Sequence, residues 1–296
     1  MWAIVPQSLK VLKTTAELQS WRADQNRLAL VPTMGALHAG HLALIDRAKT
    51  DQCSVLVTIY VNPTQFNRPE DLSAYPQDHE GDLALLRTSA ADAVWFPQSE
   101  DLYPNGVLSE EFDLDGLDLR LEGALRPGHF QGVATVVNLL FDWSRADRAY
   151  FGLKDFQQVA VVKKLAALRG GIPEIVACPT QRNADGLALS SRNRLLTPAM
   201  RASAPFIYRA LRWAAQEVAE FPVPARGLKR ELRSEIERWP GLKVESIEFV
   251  FADTLEPLSE LERPVDRYGR DVQVLVSVYA GEVRLIDNSP LYLYRA

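Results

Sequence analysis

Two histidines stand three residues apart in a glycine-containing segment, and their types and spacing could bind phosphate. The segment runs from Thr33 to His41 and reads TMGALHAGH, with His38 and His41 enclosing a His-x-Gly-His pattern. An apolar run precedes it and apolar residues recur at helical spacing after it, which predicts a strand, a glycine turn and a helix. That helix would direct unpaired N–H groups and its positive dipole end at the turn. The alternative is one helix-capping histidine and one core histidine.

Amide side chains follow the next apolar run, residues 54–61, which is typical of a parallel strand buried on both faces. Asn62, Gln65 and Asn67 come directly after it, where open α/β sheets bind ligands beyond the carboxyl ends of their strands. A neutral amide can donate to a hydroxyl or a carboxylate without adding charge. The alternative is a polar loop in which the asparagines form turns.

Two cationic side chains occur at later junctions of the same kind. Arg126 lies in the glycine-rich loop 122–132, where it could bind a phosphate or carboxylate bidentately, or pair with a surface acid. Lys154 follows a short strand, 148–152, and its ammonium could reach phosphates. The helix predicted after it carries Gln158 in its first turn.

Hydroxyl and carboxyl groups complete the candidate chemistry. Ser190 and Ser191 beside Arg192 could wrap a triphosphate, or cap the helix expected after Thr197. The acidic first turn of a helix predicted over 78–89, which includes Asp82, suits the helix dipole. The alternative is that one of its carboxylates holds a metal-bound water near the phosphates.

These elements divide the chain of 296 residues into two parts. Alternating strands and helices predict an α/β domain with a parallel sheet over residues 1–180. Residues 181–296 read as helices followed by strands, which predicts a smaller α+β domain.

Composition narrows the class of protein. A net charge of -5 without a Lys/Arg-rich run argues against a nucleic-acid surface. Cys53 and Cys178 lie in apolar runs without metal spacing, which predicts buried, reduced residues of a cytoplasmic protein. Neither a signal peptide nor an apolar run long enough to span a membrane is found in the sequence.

Six segments, in their order along the chain, together resemble one family. The sequence is similar to the pantothenate synthetases, the pantoate–β-alanine ligases of vitamin B5 synthesis, which belong to an HxGH nucleotidylyltransferase-like superfamily. The segments are VPTMGALHAGH (31–41), VNPTQFN (61–67), LEGALRPGHFQGVATVV (121–137), FGLKDFQQ (151–158), DGLALSSRN (185–193) and RLIDN (284–288).

The resemblance implies a Rossmann-like nucleotide-binding domain, a C-terminal lid domain, and a homodimer formed through the N-terminal domain. It implies that ATP and (R)-pantoate give pantoyl adenylate and pyrophosphate with Mg²⁺, and that β-alanine then releases AMP. All partners would be small molecules or a second copy of the chain.

The resemblance also implies residue roles. His41, as an acid assisting phosphate departure, His38 and Lys154 would be catalytic. Pantoate and β-alanine would contact Gln65, Gln158, Asn62 and Arg126, and Asp82 would serve the metal. The residues implied to bind ATP are Met34, Gly35, Ala36, Leu37, His38, Ala39, Gly40, His41, Gly152, Leu153, Lys154, Asp155, Gln181, Leu189, Ser190, Ser191 and Arg192.

Two positions depart from the family pattern. Leu153 stands where Glu or Gln is usual, and Gly81 precedes Asp82 where two acids are often paired, so the metal contact could shift to Glu80. Two other functions are considered: a nucleotidylyltransferase acting on a phosphorylated acceptor, and a non-enzymatic nucleotide-binding protein. The amide-rich acceptor loop disfavours the first, and the complete set of His, Lys, Gln and Ser-Ser-Arg groups disfavours the second.

Overall fold

A computed structural model describes residues 9–67, 69–221, 223–260 and 270–291. The chain divides into two compact units, Met1–Pro179 and Thr180–Ala296.

The first unit is built on a parallel sheet, as the alternating pattern predicts. Within the described residues its strand order is β1-β4-β3-β2-β5-β6, and every neighbouring pair is parallel. The strands are β1 (Lys10–Leu12), β2 (Leu28–Thr33), β3 (Ser54–Ile59), β4 (Ala93–Trp95), β5 (Arg148–Gly152) and β6 (Glu174–Cys178). The helices are α1 (Thr15–Ala23), α2 (Ala39–Thr50), α3 (Pro69–Ser73), α4 (His79–Arg87), α5 (Ser99–Leu102), α6 (Glu122–Leu125), α7 (His129–Ser144) and α8 (Phe156–Leu168).

Both faces of this sheet are buried. In β2, Leu28 and Leu30 belong to one hydrophobic cluster, and Ala29 and Val31 belong to another on the opposite face. Because side chains alternate along a strand, a strand covered on both sides must be apolar at every position. This explains the continuous apolar run that precedes the histidine segment.

The strand order reverses direction between β2 and β5. From β2 the chain continues outward to β3 and β4, whereas β5 starts on the other side of β2 and continues to β6. Open α/β sheets bind ligands in the crevice at such a switch point, beyond the carboxyl ends of the strands. The histidine segment follows β2 and the Lys154 junction follows β5, so the fold places both at this position.

One predicted helix boundary is wrong. The sequence predicts a loop over residues 122–132, but α7 already begins at His129, after Gly128 in the left-handed conformation (φ 80°). Gly132 therefore lies within the helix. An added Cβ there would lie 2.4 Å from the backbone oxygen of Thr64, so the glycine permits close contact with the loop that follows β3.

The second unit contains, in its described residues, an antiparallel sheet with strand order β7-β8-β9, packed against helices. The sequence predicts one helix over residues 198–217, but the structure has two, because Pro205 lacks the N–H needed to continue the first. The elements are α9 (Pro198–Ser203), α10 (Pro205–Glu220), α11 (Ala225–Glu237), β7 (Leu242–Phe251), β8 (Val272–Ala280) and β9 (Val283–Pro290).

Candidate active site

The two histidines form an interlocked cap at the start of α2. Nδ1 of His38 accepts the backbone N–H of Gly40 at 3.1 Å, and Nδ1 of His41 accepts the backbone N–H of His38 at 3.2 Å. The rings stack with their centroids 4.0 Å apart. A neutral imidazole whose Nδ1 accepts carries its proton on Nε2. Both rings therefore cap the helix and also present Nε2–H donors.

The environment of His41 keeps this imidazole neutral. Its pKa is lowered from 6.5 to about 3, mainly because burial disfavours the charged form and, to a lesser extent, because of electrostatic repulsion from His38 and Lys154. At neutral pH the imidazole of His41 is therefore uncharged, and its one ring proton makes Nε2 a hydrogen-bond donor. The electrostatic effect of Lys154 also shows that the β5 junction lies near the histidines.

Asp82 holds the turn after β2 in place through hydrogen bonds to its backbone. Its carboxylate, only 1% exposed, accepts the backbone N–H groups of Ala36 at 2.9 Å and Leu37 at 2.6 Å. Gly35 has a φ of +84°, and an added Cβ would lie 2.9 Å from Oδ2 of Asp82. Glycine is required at this position because both the conformation and the close carboxylate exclude a side chain.

The departure at Gly81 has a local explanation. Asp78 caps α4 by accepting the backbone N–H of Gly81 at 3.0 Å, which is the dipole-compatible role considered for this acidic turn. A Cβ at Gly81 would lie 2.3 Å from Oδ2 of Asp78. A second acid beside Asp82 would therefore require the exposed side chain of Asp78 to move.

Among the amide side chains predicted after β3, Asn62 supports the local structure and Gln65 is the candidate for binding. Asn62 is 1% exposed, donates to the backbone oxygen of Gly132 at 3.0 Å and to Oε1 of Gln65 at 3.4 Å, and accepts from the hydroxyl of Tyr103 at 2.7 Å. Burial raises the pKa of Tyr103 to about 12, so this hydroxyl keeps its proton. These hydrogen bonds occupy the amide of Asn62 internally, and one of them holds Gln65. The direct contact of Asn62 with pantoate or β-alanine, which the resemblance implies, stays a prediction.

Gln65 lies at the centre of a polar group that includes Arg126. Its backbone oxygen accepts from the guanidinium of Arg126 at 3.2 Å and lies 2.7 Å from Nδ1 of His129. Nε2 of His129 lies 3.1 Å from Nη1 of Arg126. Because the guanidinium can only donate, His129 accepts through Nε2 and donates through Nδ1. The side-chain amide of Gln65 meets the sulfur of Met34 at 2.8 Å, which joins this group to the histidine turn.

The β5 junction carries the predicted cation. Gly152 ends β5, and Leu153–Asp155 form a 3-10 turn before α8. Lys154 pairs with Asp155 at 3.2 Å, and its side chain is 19% exposed. Leu153 packs against the hydrophobic core, so its side chain does not supply the polar group usual at this position.

Neighbouring glutamines at the start of α8 have different surroundings. Gln157 is buried; its amide donates to the backbone oxygens of Leu117 and Arg120, both at 2.7 Å, and accepts from the backbone N–H of Glu122 at 3.0 Å. Gln158 is half-buried. The supporting contacts of Gln157 and His129 are not predicted from the sequence. Helical phase does not separate the two glutamines, because buried apolar residues lie at helical spacing from both of them: Val161 and Leu165 from Gln157, and Val162 and Leu165 from Gln158.

The remaining predicted residues lie in the second unit. Ser190 accepts the backbone N–H of Arg192 at 3.3 Å and begins a 3-10 turn over Ser191–Leu195. The cap of α9 is Thr197, which accepts from the backbone N–H of Met200 at 3.2 Å. The alternative role of the serines as caps of that helix is therefore excluded. Leu189 and Gln181 are joined by a backbone hydrogen bond of 2.9 Å.

Two general features follow from the described residues. They contain no group of three or more His, Cys, Asp or Glu side chains arranged to hold a metal ion. None of the helices among them is both long and apolar enough to cross a membrane. Cys53 and Cys178 are free and buried, as predicted.

Comparison with known proteins shows the family of this chain. The family model described as pantoate-beta-alanine ligase matches residues 9–290. The chain belongs to the pantoate–β-alanine ligase family. This confirms the family inferred from the sequence segments, and it favours ligase activity over the two alternatives.

Relatives and solved structures of this family match the chain over almost its whole length. The pantothenate synthetase of Cereibacter sphaeroides is 44% identical over 285 residues, covering 95% of this chain and 99% of the relative. That of Moorella thermoacetica is 41% identical over 284 residues, covering 95% and 98%. The crystal structure of pantothenate synthetase from Thermus thermophilus has a TM-score of 0.84 at 40% identity, covering 96% of this chain and 100% of that chain.

One solved family member is a complex. The pantoate-beta-alanine ligase of Francisella tularensis, complexed with β-γ ATP and β-alanine, has a TM-score of 0.78 at 34% identity. The match covers 96% of this chain and 98% of that chain. The α/β fold with a Rossmann-like parallel sheet and a smaller C-terminal domain is thereby confirmed.

Proposed function

We propose that this chain condenses (R)-pantoate with β-alanine in an ATP-dependent reaction that passes through pantoyl adenylate. The observation that carries the proposal is the position of three groups at one edge of the parallel sheet. These are the histidine turn after β2, the amide and arginine group after β3, and the lysine junction after β5. The F. tularensis relative supports ATP and β-alanine as substrates.

The phosphates of ATP bind at the histidine turn in this proposal. The Nε2–H groups of His38 and His41 donate to phosphate oxygens, assisted by the positive end of the α2 helix dipole. Lys154 supplies the positive charge. In the ligand-free protein His41 is a preorganised neutral donor, because burial lowers the pKa of its imidazole to about 3. The role of His41 as an acid assisting phosphate departure, which the resemblance implies, stays a prediction.

Pantoate binds beside this turn. Gln65 and Gln158 offer amides to its hydroxyl and carboxylate groups, and Arg126 supplies a cation close to the backbone of Gln65. Asn62 contributes indirectly by holding Gln65 through its buried amide. β-Alanine binds near Gln65.

The other ATP contacts are proposed from the family resemblance. They are Met34–His41, Gly152–Asp155, Gln181 through its backbone beside the adenine, and Leu189–Arg192.

ATP is proposed to enter as its magnesium complex. Mg²⁺ usually retains several waters and takes one or two carboxylates besides the substrate phosphates, so a three-carboxylate cluster is not required. Asp82 uses one lone pair of each oxygen to hold the turn. The resemblance implies that Asp82 would serve the metal, and Glu80 is the alternative carboxylate of the same turn. The ion would neutralise the triphosphate.

The two chemical steps balance without a protein nucleophile. A pantoate carboxylate oxygen attacks the α-phosphorus as the bond to the β-phosphate oxygen breaks, giving pantoyl adenylate and pyrophosphate. The β-alanine amine then attacks the acyl carbon, loses a proton, and expels AMP. Cys53 and Cys178 are buried, and burial raises the pKa of Cys178, so neither thiol suits covalent catalysis.

Product analysis tests the proposed reaction. Purified protein is incubated with (R)-pantoate, β-alanine and magnesium ATP, and all products are quantified. Equal amounts of pantothenate, AMP and pyrophosphate are expected. Formation of ADP and phosphate would contradict the adenylate and point to an acyl phosphate.

A homodimer formed through the N-terminal unit and a cytoplasmic location also remain proposals that rest on the family resemblance. Light scattering coupled to size-exclusion chromatography tests the dimer. A monomer mass at assay concentration would contradict it.

A further inference from the structure

The segment RLIDN (284–288) carries part of the family resemblance, but the proposed reaction gives it no role. Within it, Asp287 on β9 binds the guanidinium of Arg182 through both carboxylate oxygens, at 2.6 Å and 2.8 Å. The side chains of Asp287 and Arg182 are only 6% and 15% exposed. A bidentate pair of this kind fixes orientation as well as distance.

Arg182 is held by three elements of the second unit. Besides Asp287, its guanidinium donates to the backbone oxygen of Gly186 at 3.2 Å and lies 3.6 Å from the ring centroid of Tyr208 on α10. Gly186 has a φ of +99°, and an added Cβ would lie 3.0 Å from the same ring. The segment around Arg182 therefore packs against the ring of Tyr208 and is hydrogen-bonded to β9.

This segment is a short hairpin that carries proposed ATP contacts on both arms. Arg182 pairs with Ala188 in an antiparallel bridge, and the backbone N–H of Leu189 donates to the oxygen of Gln181 at 2.9 Å. The side chain of Asn193 donates to the backbone oxygen of Ala188 at 2.9 Å. When Arg182 is held in place, Gln181, which precedes it, is held as well. Through the bridge to Ala188, the same contact holds Leu189 and the Ser190–Arg192 turn.

We propose that the Arg182–Asp287 pair is a positioning device for ATP. It holds the hairpin so that Gln181 and Leu189–Arg192 are preorganised for the nucleotide, without contacting ATP itself. A stabilising role alone does not require charge, because well-packed apolar residues often replace buried ion pairs without loss of stability. The inference rests on the proposed function, since it assumes that these residues meet ATP.

Two variants separate charge from geometry. Asp287→Asn removes the negative charge and keeps the size of the side chain. Arg182→Lys keeps the positive charge and removes the planar fork that binds two oxygens. In a pantoate-dependent pyrophosphate–ATP exchange assay, both should raise the KM for ATP about tenfold to a hundredfold, as small displacements of binding groups do. The KM for pantoate should stay at the wild-type value.

A matched control is available on the same strand. Arg284, the first residue of RLIDN, pairs with Glu245 at 2.6 Å, and Glu245 also accepts from Ser277 at 2.9 Å. Glu245→Gln weakens an ion pair of the same sheet without removing a contact to the hairpin. It should lower the thermal melting temperature and leave the KM for ATP unchanged.

The outcomes distinguish this inference from the proposed function. Absence of exchange by the wild-type protein would refute the function itself. With an active wild type, an unchanged KM for ATP in folded Asp287→Asn or Arg182→Lys would overturn the positioning role. Equal rises in both KM values, the same rise in Glu245→Gln, or loss of folding in both hairpin variants would also overturn it, because the pair would then serve only general stability.

Discussion

The backbone N–H of His38 donates to Nδ1 of His41 over 3.2 Å, and this bond decides what the second imidazole can do. It occupies Nδ1 as an acceptor, so the ring proton of the neutral form lies on Nε2. His38 is fixed in the same tautomer by the N–H of Gly40. In His41, Nδ1 thus stabilises the start of α2, and Nε2 on the other side of the same ring is the donor proposed for ATP.

This division predicts the behaviour of His41→Asn. The amide oxygen of Asn can replace Nδ1 as the acceptor for His38, but it leaves no donor at the position of Nε2. The melting temperature should stay close to that of the wild type, whereas kcat for adenylate formation should fall about 10²- to 10³-fold, as for loss of one transition-state donor.

His79→Ala provides the control for that substitution, because His79 is exposed at the start of α4. It should be nearly neutral in the same exchange assay. Comparable losses from the two variants would remove His41 from its assigned role.

The pKa of His41 predicts a pH dependence of stability. The folded-state pKa of about 3 lies below the ordinary value of 6.5, so the unfolded chain binds the proton first as the pH falls. The contribution is complete above the unfolded pKa and is lost progressively toward the folded pKa. Between about pH 7 and pH 5, the unfolding free energy of the ligand-free protein should fall more for wild type than for His41→Asn. Chemical denaturation measures both, and parallel losses would contradict the assignment.

Gly132→Ala should disturb the pantoate site through the backbone. The new Cβ would lie 2.4 Å from the oxygen of Thr64 and 2.9 Å from the nitrogen of Gln65. We expect a destabilisation of about 1–3 kcal/mol, typical of overpacking, and a raised KM for pantoate because Gln65 must move.

Gly227→Ala in α11 is the matched control, since its nearest neighbour, Cγ1 of Val223, would lie 3.4 Å away. Ala should stabilise that helix by about 0.5–1 kcal/mol. Steady-state kinetics and thermal melts of both variants check the pair of expectations. A wild-type KM for pantoate in Gly132→Ala would show that the close contact does not position Gln65.

Lys154→Ala should raise the transition-state free energy, as measured by kcat/KM for ATP, by roughly 2–5 kcal/mol if the ammonium contacts desolvated phosphates. Part of this loss should appear in kcat, because negative charge shifts along the triphosphate in the transition state. If Lys154 served only its ion pair with Asp155, the effect would be below about 1 kcal/mol.

Lys164→Ala is the comparison for Lys154, because Lys164 on α8 pairs with Asp115 at the surface. It should leave kcat/KM for ATP near the wild-type value. A loss below about tenfold in Lys154→Ala, with the fold intact, would place Lys154 outside the mechanism.

Sequence reasoning predicts those parts of the fold whose pattern is local. The apolar runs of β2 and β3 are read directly from residue type and spacing. Strand β1 is not predicted, because three residues at a sheet edge carry too little periodicity to be recognised.

The site could be predicted by residue type but not by role. Asn62 and Gln65 both look like ligand-binding amides in the sequence, and only tertiary contacts from Tyr103 and Gly132 show that Asn62 is fully occupied. Asp82 likewise reads as a metal or dipole residue, whereas its contacts with the turn involve residues 45 and 46 positions away. Long-range hydrogen bonds have no signature in a single sequence.

The central claim, that an adenylate forms before the amine is needed, is tested most directly by isotope exchange. Labelled pyrophosphate is supplied with magnesium ATP and (R)-pantoate in the absence of β-alanine, and the label in ATP is followed. The account predicts that label enters ATP only when pantoate is present. Exchange that requires β-alanine, or that proceeds without pantoate, would contradict it.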